Sequence, residues 1–479
     1  MTEYLFDRRL TVDTLTEISE GRRTPVVAEG LIARVAGASE AAERIASRRK
    51  VYGRSTGVGA NRLTAAIPDT TAHGMNLIRS HACDAGDPIR PEVVRATLAV
   101  RLNQLLQGRA GIAPEVVEAL ADMLRKDALP ELREFGSIGT ADLQALAGIA
   151  LALVGERPTT RDFARLGTMG ADSALPFISS SALTIAQTSL AADRLSRLIR
   201  TQHVVFALSA AAARANTEAI APAVARTIGI EAAHGIAAGL ERALGRDPWE
   251  PARIQDPYAF RGYLQTASLL ELANARLRDH LETLMNLGQE NPLFVAEEEQ
   301  AYHHGSFYQA ALSHELDSVA IALAQHAPLL VSRLRFLDDD AFSGLPRFLA
   351  PELGGSSGTM MVEYLAASAL GDILGAAAPA SIHTTVLSCG VEDDASFAAT
   401  GARKLERALD AFELMLACEL LVAVRGARLR GLSESSGLLG EALALASALP
   451  EGTSDRDLRD DVETATGLLP GIAVLFQES

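Results

Sequence analysis

The chain has 479 residues with 44 basic against 60 acidic side chains, a formal charge of −16, and 48% hydrophobic but only 5% aromatic content. That balance excludes a charge-driven hold on nucleic acid or an anionic membrane, and the apolar share is enough to fill a large core. Cys83, Cys389 and Cys418 are too few and too scattered for a disulfide framework or a paired-cysteine zinc site. The start MTEYLFDRRL lacks the pattern of a signal peptide, and no apolar run approaches the roughly 20 residues of a membrane span, so a cytoplasmic location is expected.

Ala, Leu, Arg and Glu dominate and strand-like runs are scarce, so helix is the expectation beyond the N-terminal third. In chain order, YGRSTGVGANR (52–62) and ACDAGDPIRP (82–91) read as loops. PEVVRATLAVRLNQLLQ (91–107) opens on a first-turn proline and repeats apolar residues at helical spacing. EFGSIGTAD (134–142) is a further loop. The run 179–215 then contains no Pro or Gly over 37 residues, a helix of roughly 55 Å. After the loop QDPYAFRGY (255–263), a second long helix is predicted over 265–287. ELGGSSGTMM (352–361) and VLSCGVEDDAS (386–396) are loops, and 395–429 is again helical. The predicted fold is mainly α: a smaller loop-rich N-terminal part, 1–175, followed by a long central helical bundle with C-terminal helices, 176–479. Helices this long bear apolar residues on more than one side and favour packing against copies of themselves.

Some chemistries are disfavoured by the residues alone. Lys50, Lys126 and Lys404 all sit in charged, surface-like contexts, against a lysine Schiff base. Glu392, Asp393 and Asp394 are consecutive and do not converge readily on one ion, and the adjacent His303 and His304 lack metal spacing, so no metal is expected and both histidines read as surface residues.

Taken together, the loops resemble the histidine and phenylalanine ammonia-lyase family, in the right order from about Val51 to about Arg430. YGRSTGVGANR resembles the family's Tyr-Gly-x-x-Thr-Gly-x-Gly loop and NLIRSHACDAG its Asn-Leu-x-x-Ser-His-Ala segment. QDPYAFR resembles Gln-Asp-x-Tyr-x-x-Arg, QENPLF the Asp-Asn-Pro-Leu segment, HHGSFY the Gly-Asn-Phe-His turn, and GVEDDAS the Gln-Glu-Asp-His-x-Ser loop. The resemblance implies an ammonia-lyase or fumarase-like bundle and a homotetramer whose active sites are shared between subunits. The family makes its own electrophile, 4-methylideneimidazole-5-one, by cyclising and dehydrating Ala-Ser-Gly within Gly-Ser-x-Gly-Ala-Ser-Gly-Asp-Leu. This chain reads Gly136-Ser137-Ile138-Gly139-Thr140-Ala141-Asp142-Leu143, one residue shorter. Matched from the left, the tripeptide is Thr140-Ala141-Asp142, and alanine has no hydroxyl to lose. Matched from the right it is Gly139-Thr140-Ala141, whose ring nitrogen would carry the extra Cβ of alanine. Ser179 also stands where the family has an asparagine serving the electrophile. The methylideneimidazolone is therefore expected not to form and no other cofactor is expected. Thr140 and Asp142 become candidates for polar contacts in the space it would fill.

By the same resemblance Tyr52 is the catalytic base, Arg261 grips a substrate carboxylate, and Tyr258, one helical turn before it, assists proton handling. Gln255 and Asn291 orient substrate or loops, and Phe307 is an apolar wall. Ser80-His81 and Glu392 match the histidine-selective branch and point to a polar side chain on the substrate, while Asp394 replaces a family histidine. The expected function is proton-abstraction chemistry (elimination, addition or cyclisation) on a small carboxylate or amino-acid substrate without the internal electrophile. Two alternatives stand beside it: a histidine-like ammonia-lyase or aminomutase with an atypical prosthetic group, and a catalytically silent homologue with a binding or assembly role.

Overall fold

The computed structural model describes residues 2–245, 248–351 and 355–476, so the first three residues of the predicted loop 352–361 lie outside the described residues. Two compact units are each assembled from three stretches of chain. Unit 1 comprises Met1–Asp193, Leu277–Leu316 and Pro379–Arg403, and unit 2 comprises Arg194–Arg276, Asp317–Ala378 and Lys404–Ser479. Four of the five unit boundaries fall inside long helices, Ala182–Ala213, Tyr263–Met285, Ala310–Asp338 and Ala398–Leu429, and the fifth follows the helix Met360–Ala376. The fold is mainly α, as the sequence predicts. Strands among the described residues are three or four residues long and pair only two by two.

In unit 1 a parallel pair, Thr2–Leu5 with Arg23–Val26, precedes the helix Glu29–Arg48. The Gly-rich stretch after it stays irregular, because glycines there take conformations that a helix does not use. Gly53 has φ 76°, and a Cβ on it would lie 2.1 Å from Leu175 Cδ2. Regular structure resumes at Thr70–His81, started by Asp69, whose carboxylate accepts the Ala72 N–H. Pro91 opens Pro91–Leu105 as predicted. The helix Leu143–Val154 is buried on nearly all sides and ends at Gly155 in the left-handed region. Thr70–His81 packs on both Leu143–Val154 and Ala171–Ile178. Gly74 is small where it approaches the backbone of Met169 and Gly170.

The predicted helix 179–215 starts at Ala182 because the three serines before it form the turn that leads in. Ser180 N–H donates to Ile178 O, and Ser181 O accepts the first helical N–H, from Ile185. Ala310–Asp338 carries Pro328 in its interior, so a search for proline-free runs passes over it. Unit 2 is centred on long-helix side chains. Tyr263 stacks on Phe206 at 3.7 Å between centroids, and the fully buried Arg333 forks onto Glu419 at 2.5 and 2.8 Å.

Candidate active site

A cavity of about 390 Å³ opens in unit 1, a volume suited to a small metabolite. Its wall includes Tyr52, His81, Thr140, Ala141, Ser179, Asn291, Phe307 and Glu392, so eight of the residues singled out in the sequence converge on one space from segments far apart in the chain. Asn61, Gln144, Leu175 and Ser388 line it as well. Among the described residues, no lysine or arginine is in the lining.

Tyr52 begins the Gly-rich loop, and its hydroxyl oxygen accepts the Gly59 N–H at 2.7 Å. Its backbone N–H donates to His303 Nε2 at 3.2 Å. Burial pushes the phenol above its ordinary pKa; the Gly59 bond and Arg62 oppose this, while Glu392 reinforces it. The loop is fastened to the opposite rim by Ala60 N–H, which donates to Ser388 Oγ at 3.1 Å.

His81 ends its helix with Nδ1 2.9 Å from Leu77 O. A carbonyl can only accept, which assigns the proton to Nδ1 and leaves Nε2 as the ring atom free to meet a ligand. Ser80 is exposed and absent from the lining; its hydroxyl turns back to Leu77 O at 3.0 Å and to His81 Nδ1 at 3.1 Å. Glu392 is half-buried and held by a backbone bridge to Leu387. Asp394 accepts a hydrogen bond from the Tyr308 hydroxyl at 2.9 Å, tying this loop to the segment that carries Phe307.

On the far wall Ser179 Oγ accepts the Asn291 N–H at 3.0 Å, and Asn291 Oδ1 accepts the His304 N–H at 3.1 Å. Reading His304 as a surface residue is corrected here. It is half-buried, donating from Nε2 to Glu290 O at 2.8 Å while Nδ1 accepts the Ser306 N–H at 3.0 Å, so it shapes the turn beneath Phe307. His303 is exposed, but it supports the Tyr52 backbone.

The segment 136–143 departs from expectation in one respect. Asp142 does not project into the cavity. Fully buried, it accepts the Thr184 N–H and hydroxyl at 2.8 Å each, and so caps the start of Ala182–Ala213 from outside that helix. Its own N–H donates to Ser180 O at 2.7 Å. Burial raises this carboxyl above its usual range, against the pull of hydrogen bonds from Thr184, Ser137 and Leu183. Thr140 and Ala141 do line the cavity, and Ala141 has φ 80°, a conformation normally left to glycine. Gly139 O accepts the Ser396 hydroxyl at 2.7 Å. Matched as Thr140-Ala141-Asp142, these residues lack the serine and glycine from which the family's prosthetic group is made. No Ser-Gly pair occurs between Ile138 and Leu143, and the nitrogen that would close a Thr140-Ala141-Asp142 ring is engaged with Ser180.

Gln255, Tyr258 and Arg261 belong to unit 2 and are not in the lining. Gln255 is exposed. Tyr258 and Arg261 occupy one helical turn, with the guanidinium carbon 3.8 Å from the centre of the tyrosine ring. The motif is braced by Asp256, which accepts from Arg253 Nε at 2.7 Å and from the Asn216 N–H at 2.5 Å. Among the described residues no three His, Cys, Asp or Glu side chains are grouped to hold a metal, and no helix is long and apolar enough to cross a membrane.

Residues 10–448 match the aromatic amino acid lyase family. The chain belongs to that family. A histidine ammonia-lyase from Symbiobacterium thermophilum is 30% identical over 482 residues, spanning 96% of this chain and 95% of that protein. Among solved structures, the histidine ammonia-lyase of Trypanosoma cruzi superposes with a TM-score of 0.89 at 27% identity, covering 99% of this chain and 94% of that one. The ergothioneine-degrading enzyme ergothionase of Treponema denticola has the same fold, with a TM-score of 0.91 at 23% identity over 99% of this chain and all of that one. Family members are lyases acting on small molecules.

The three polar lining residues that the motif comparison did not single out had weak signals. Asn61 lies inside a quoted motif and Ser388 inside the loop 386–396, both at positions without an assigned role. Gln144 is the one polar residue in the helix LQALAGIALALV, and that isolated amide was the available clue.

Proposed function

We propose that this family member catalyses elimination from a small amino-acid-derived carboxylate bearing an imidazole-like side chain, without an internal electrophile. The observation that carries this reading is the segment 139–142: it lacks the serine and glycine of the cyclising tripeptide, and Asp142 is committed to capping a helix. The side-chain preference rests on His81 Nε2 and Glu392, two acceptors in one cavity that suit a ligand with ring N–H donors.

Tyr52 is the base in this reading. As a phenolate it takes the β-proton, the electron pair of that C–H bond forms the double bond, and the amine leaves with the electrons of the C–N bond. Burial and Glu392 both oppose the phenolate, so positive charge has to be supplied. Two sources meet the requirement. Arg261, brought by another copy in a homotetramer with shared sites, would hold the carboxylate. A substrate whose nitrogen is fully alkylated carries its own fixed charge, and it releases a neutral amine with no electrophile to activate it. Ergothioneine, a trimethylated betaine with an imidazole-derived side chain, is therefore the first compound to assay, with histidine as comparator.

The test combines intact mass, ultraviolet absorbance and turnover. Expected are a polypeptide mass with no loss of water, amine release from the betaine, and a fall of at least about a thousandfold in Tyr52→Phe, more than a general base alone contributes in many enzymes. A mass short by the lost water, with histidine turnover abolished in Thr140→Ala, would overturn this in favour of a second reading. That reading is a histidine ammonia-lyase with an atypical ring, and the glycine-like backbone at Ala141 favours it because it sets Thr140 at the serine position.

A further inference from the structure

We infer that Arg101 and Glu290, which touch no part of the cavity, are a positioning pair that holds three of its walls in register. Both side chains are fully buried, and Arg101 Nη1 meets Glu290 Oε1 at 2.7 Å. The rest of the guanidinium is spent on the segment leading to Ser179. Nη2 donates to Pro176 O at 2.5 Å and Nε to Phe177 O at 2.9 Å, two carbonyls at the end of Ala171–Ile178. Nη1 also reaches Gln104 Oε1 at 3.2 Å, and the same oxygen accepts the Ser180 hydroxyl at 2.6 Å.

From this node the bonds run outward to the cavity. Ser180 O accepts the Asp142 N–H, which locates Thr140 and Ala141, two and one residues before it. Ser179 Oγ accepts the N–H of Asn291, the residue after Glu290. Glu290 O accepts from His304, whose turn leads to Phe307. One side chain thus sets the spacing of the Thr140, Ser179 and Asn291 walls, which arrive from three distant parts of the chain.

Stability does not account for the pair. Among the described residues no donor reaches the buried Glu290 Oε2, and apolar packing in place of such a pair is often neutral or stabilising. A second fully buried pair, Arg333 with Glu419, is a satisfied two-pronged fork to which Ser209 adds a third bond. The incomplete pair is the one beneath the cavity. Its geometry stands whichever reaction the cavity performs.

The test is peptide-resolved amide hydrogen exchange on the full-length protein, with Arg101→Lys, Glu290→Gln and the apolar double variant Arg101→Met/Glu290→Met. Lysine keeps the charge but offers three donors on one nitrogen, against the four bonds that the guanidinium makes from three nitrogens. The double variant removes both charges, so the fold survives even where a single change would not. Expected is exchange faster by roughly tenfold or more in peptides covering 139–146, 177–184 and 288–294. The helix Val12–Ser19, in the same unit, and the thermal midpoint of the double variant should stay at wild-type values. Turnover, once a substrate is in hand, should fall in kcat more than in KM. Unchanged exchange in the three peptides, or a uniform rise across unit 1 with a lowered midpoint, would show a structural role only and overturn the proposal. Because exchange needs no substrate, that failure is separable from a failure of the proposed reaction.

Discussion

Replacing Asp142 tests whether the altered segment has become part of the scaffold. In Asp142→Ala, the Thr184 N–H and hydroxyl lose their acceptor in a site closed to water. Two orphaned donors at ~1–3 kcal/mol each amount to about 4 kcal/mol. Removing a carboxylate that burial already disfavours returns part of this, leaving a net cost of roughly 3 kcal/mol. Asp142→Asn keeps one acceptor oxygen and the shape, so its cost should be about 1 kcal/mol, near that of a lost helix cap. Urea unfolding followed by circular dichroism gives the difference in midpoint. Amide exchange over 182–188 gives the local effect, expected to be about a hundredfold for the alanine variant. Should alanine and asparagine cost the same, or alanine cost less than about 1 kcal/mol, the capping role is wrong and Asp142 is free for other work.

Other outcomes follow from single sites. Ala141→Gly should stabilise the protein by about 1 kcal/mol, because φ 80° strains any residue with a Cβ; an unchanged or lower urea midpoint would contradict the backbone conformation described. Gly53→Ala should cost at least ~2 kcal/mol, since its Cβ would overlap Leu175, and it should lower the midpoint more than Gly305→Ala, where nothing lies within 4 Å. His203 and His326 are fully buried in unit 2, and burial lowers each to a pKa of about 3. The fold holds both neutral while the unfolded chain protonates them near 6.5, so their contribution is complete above about pH 6.5 and falls on acidification by up to ~2.7 kcal/mol per pH unit. The slope of urea midpoint against pH between 6.5 and 4 should flatten in His203→Gln, and an unaltered slope would refute the assignment.

The fold was readable in the sequence where it depends on local pattern. The Pro- and Gly-free run 179–215 appears as the helix Ala182–Ala213, and the first-turn proline Pro91 opens Pro91–Leu105. Ala310–Asp338 was not foreseen because Pro328 interrupts the pattern without ending the helix. The motifs marked Tyr52, His81, Asn291 and Glu392 as site residues but not which of them would meet within one chain, since spacing alone cannot place side chains up to 340 positions apart. Side-chain direction was the hidden quantity. Asp142 and Thr140 are two residues apart, yet one caps a helix and the other faces the cavity, and His304 reads as a surface residue until its two ring nitrogens are found between Glu290 and Ser306. The pair Arg101–Glu290 was invisible for the same reason, being 189 residues apart in sequence.

The helix cap also bears on what protein engineering could do with this chain. On the proposed reading, giving this chain the family's Ala-Ser-Gly segment would take more than exchanging side chains, because Gly136–Leu143 is one residue shorter than the pattern it resembles. A residue would have to be inserted between Gly139 and Asp142, where both ends of the segment are anchored, one through Gly139 O to Ser396 and the other through Asp142 to Thr184. The added length would have to bulge into the cavity or pull the cap from the 32-residue helix behind it. In the reverse direction, a single deletion in a ring-forming relative would both disarm the site and shorten the segment. The two states are therefore separated by chain length, a step that point substitution alone cannot retrace.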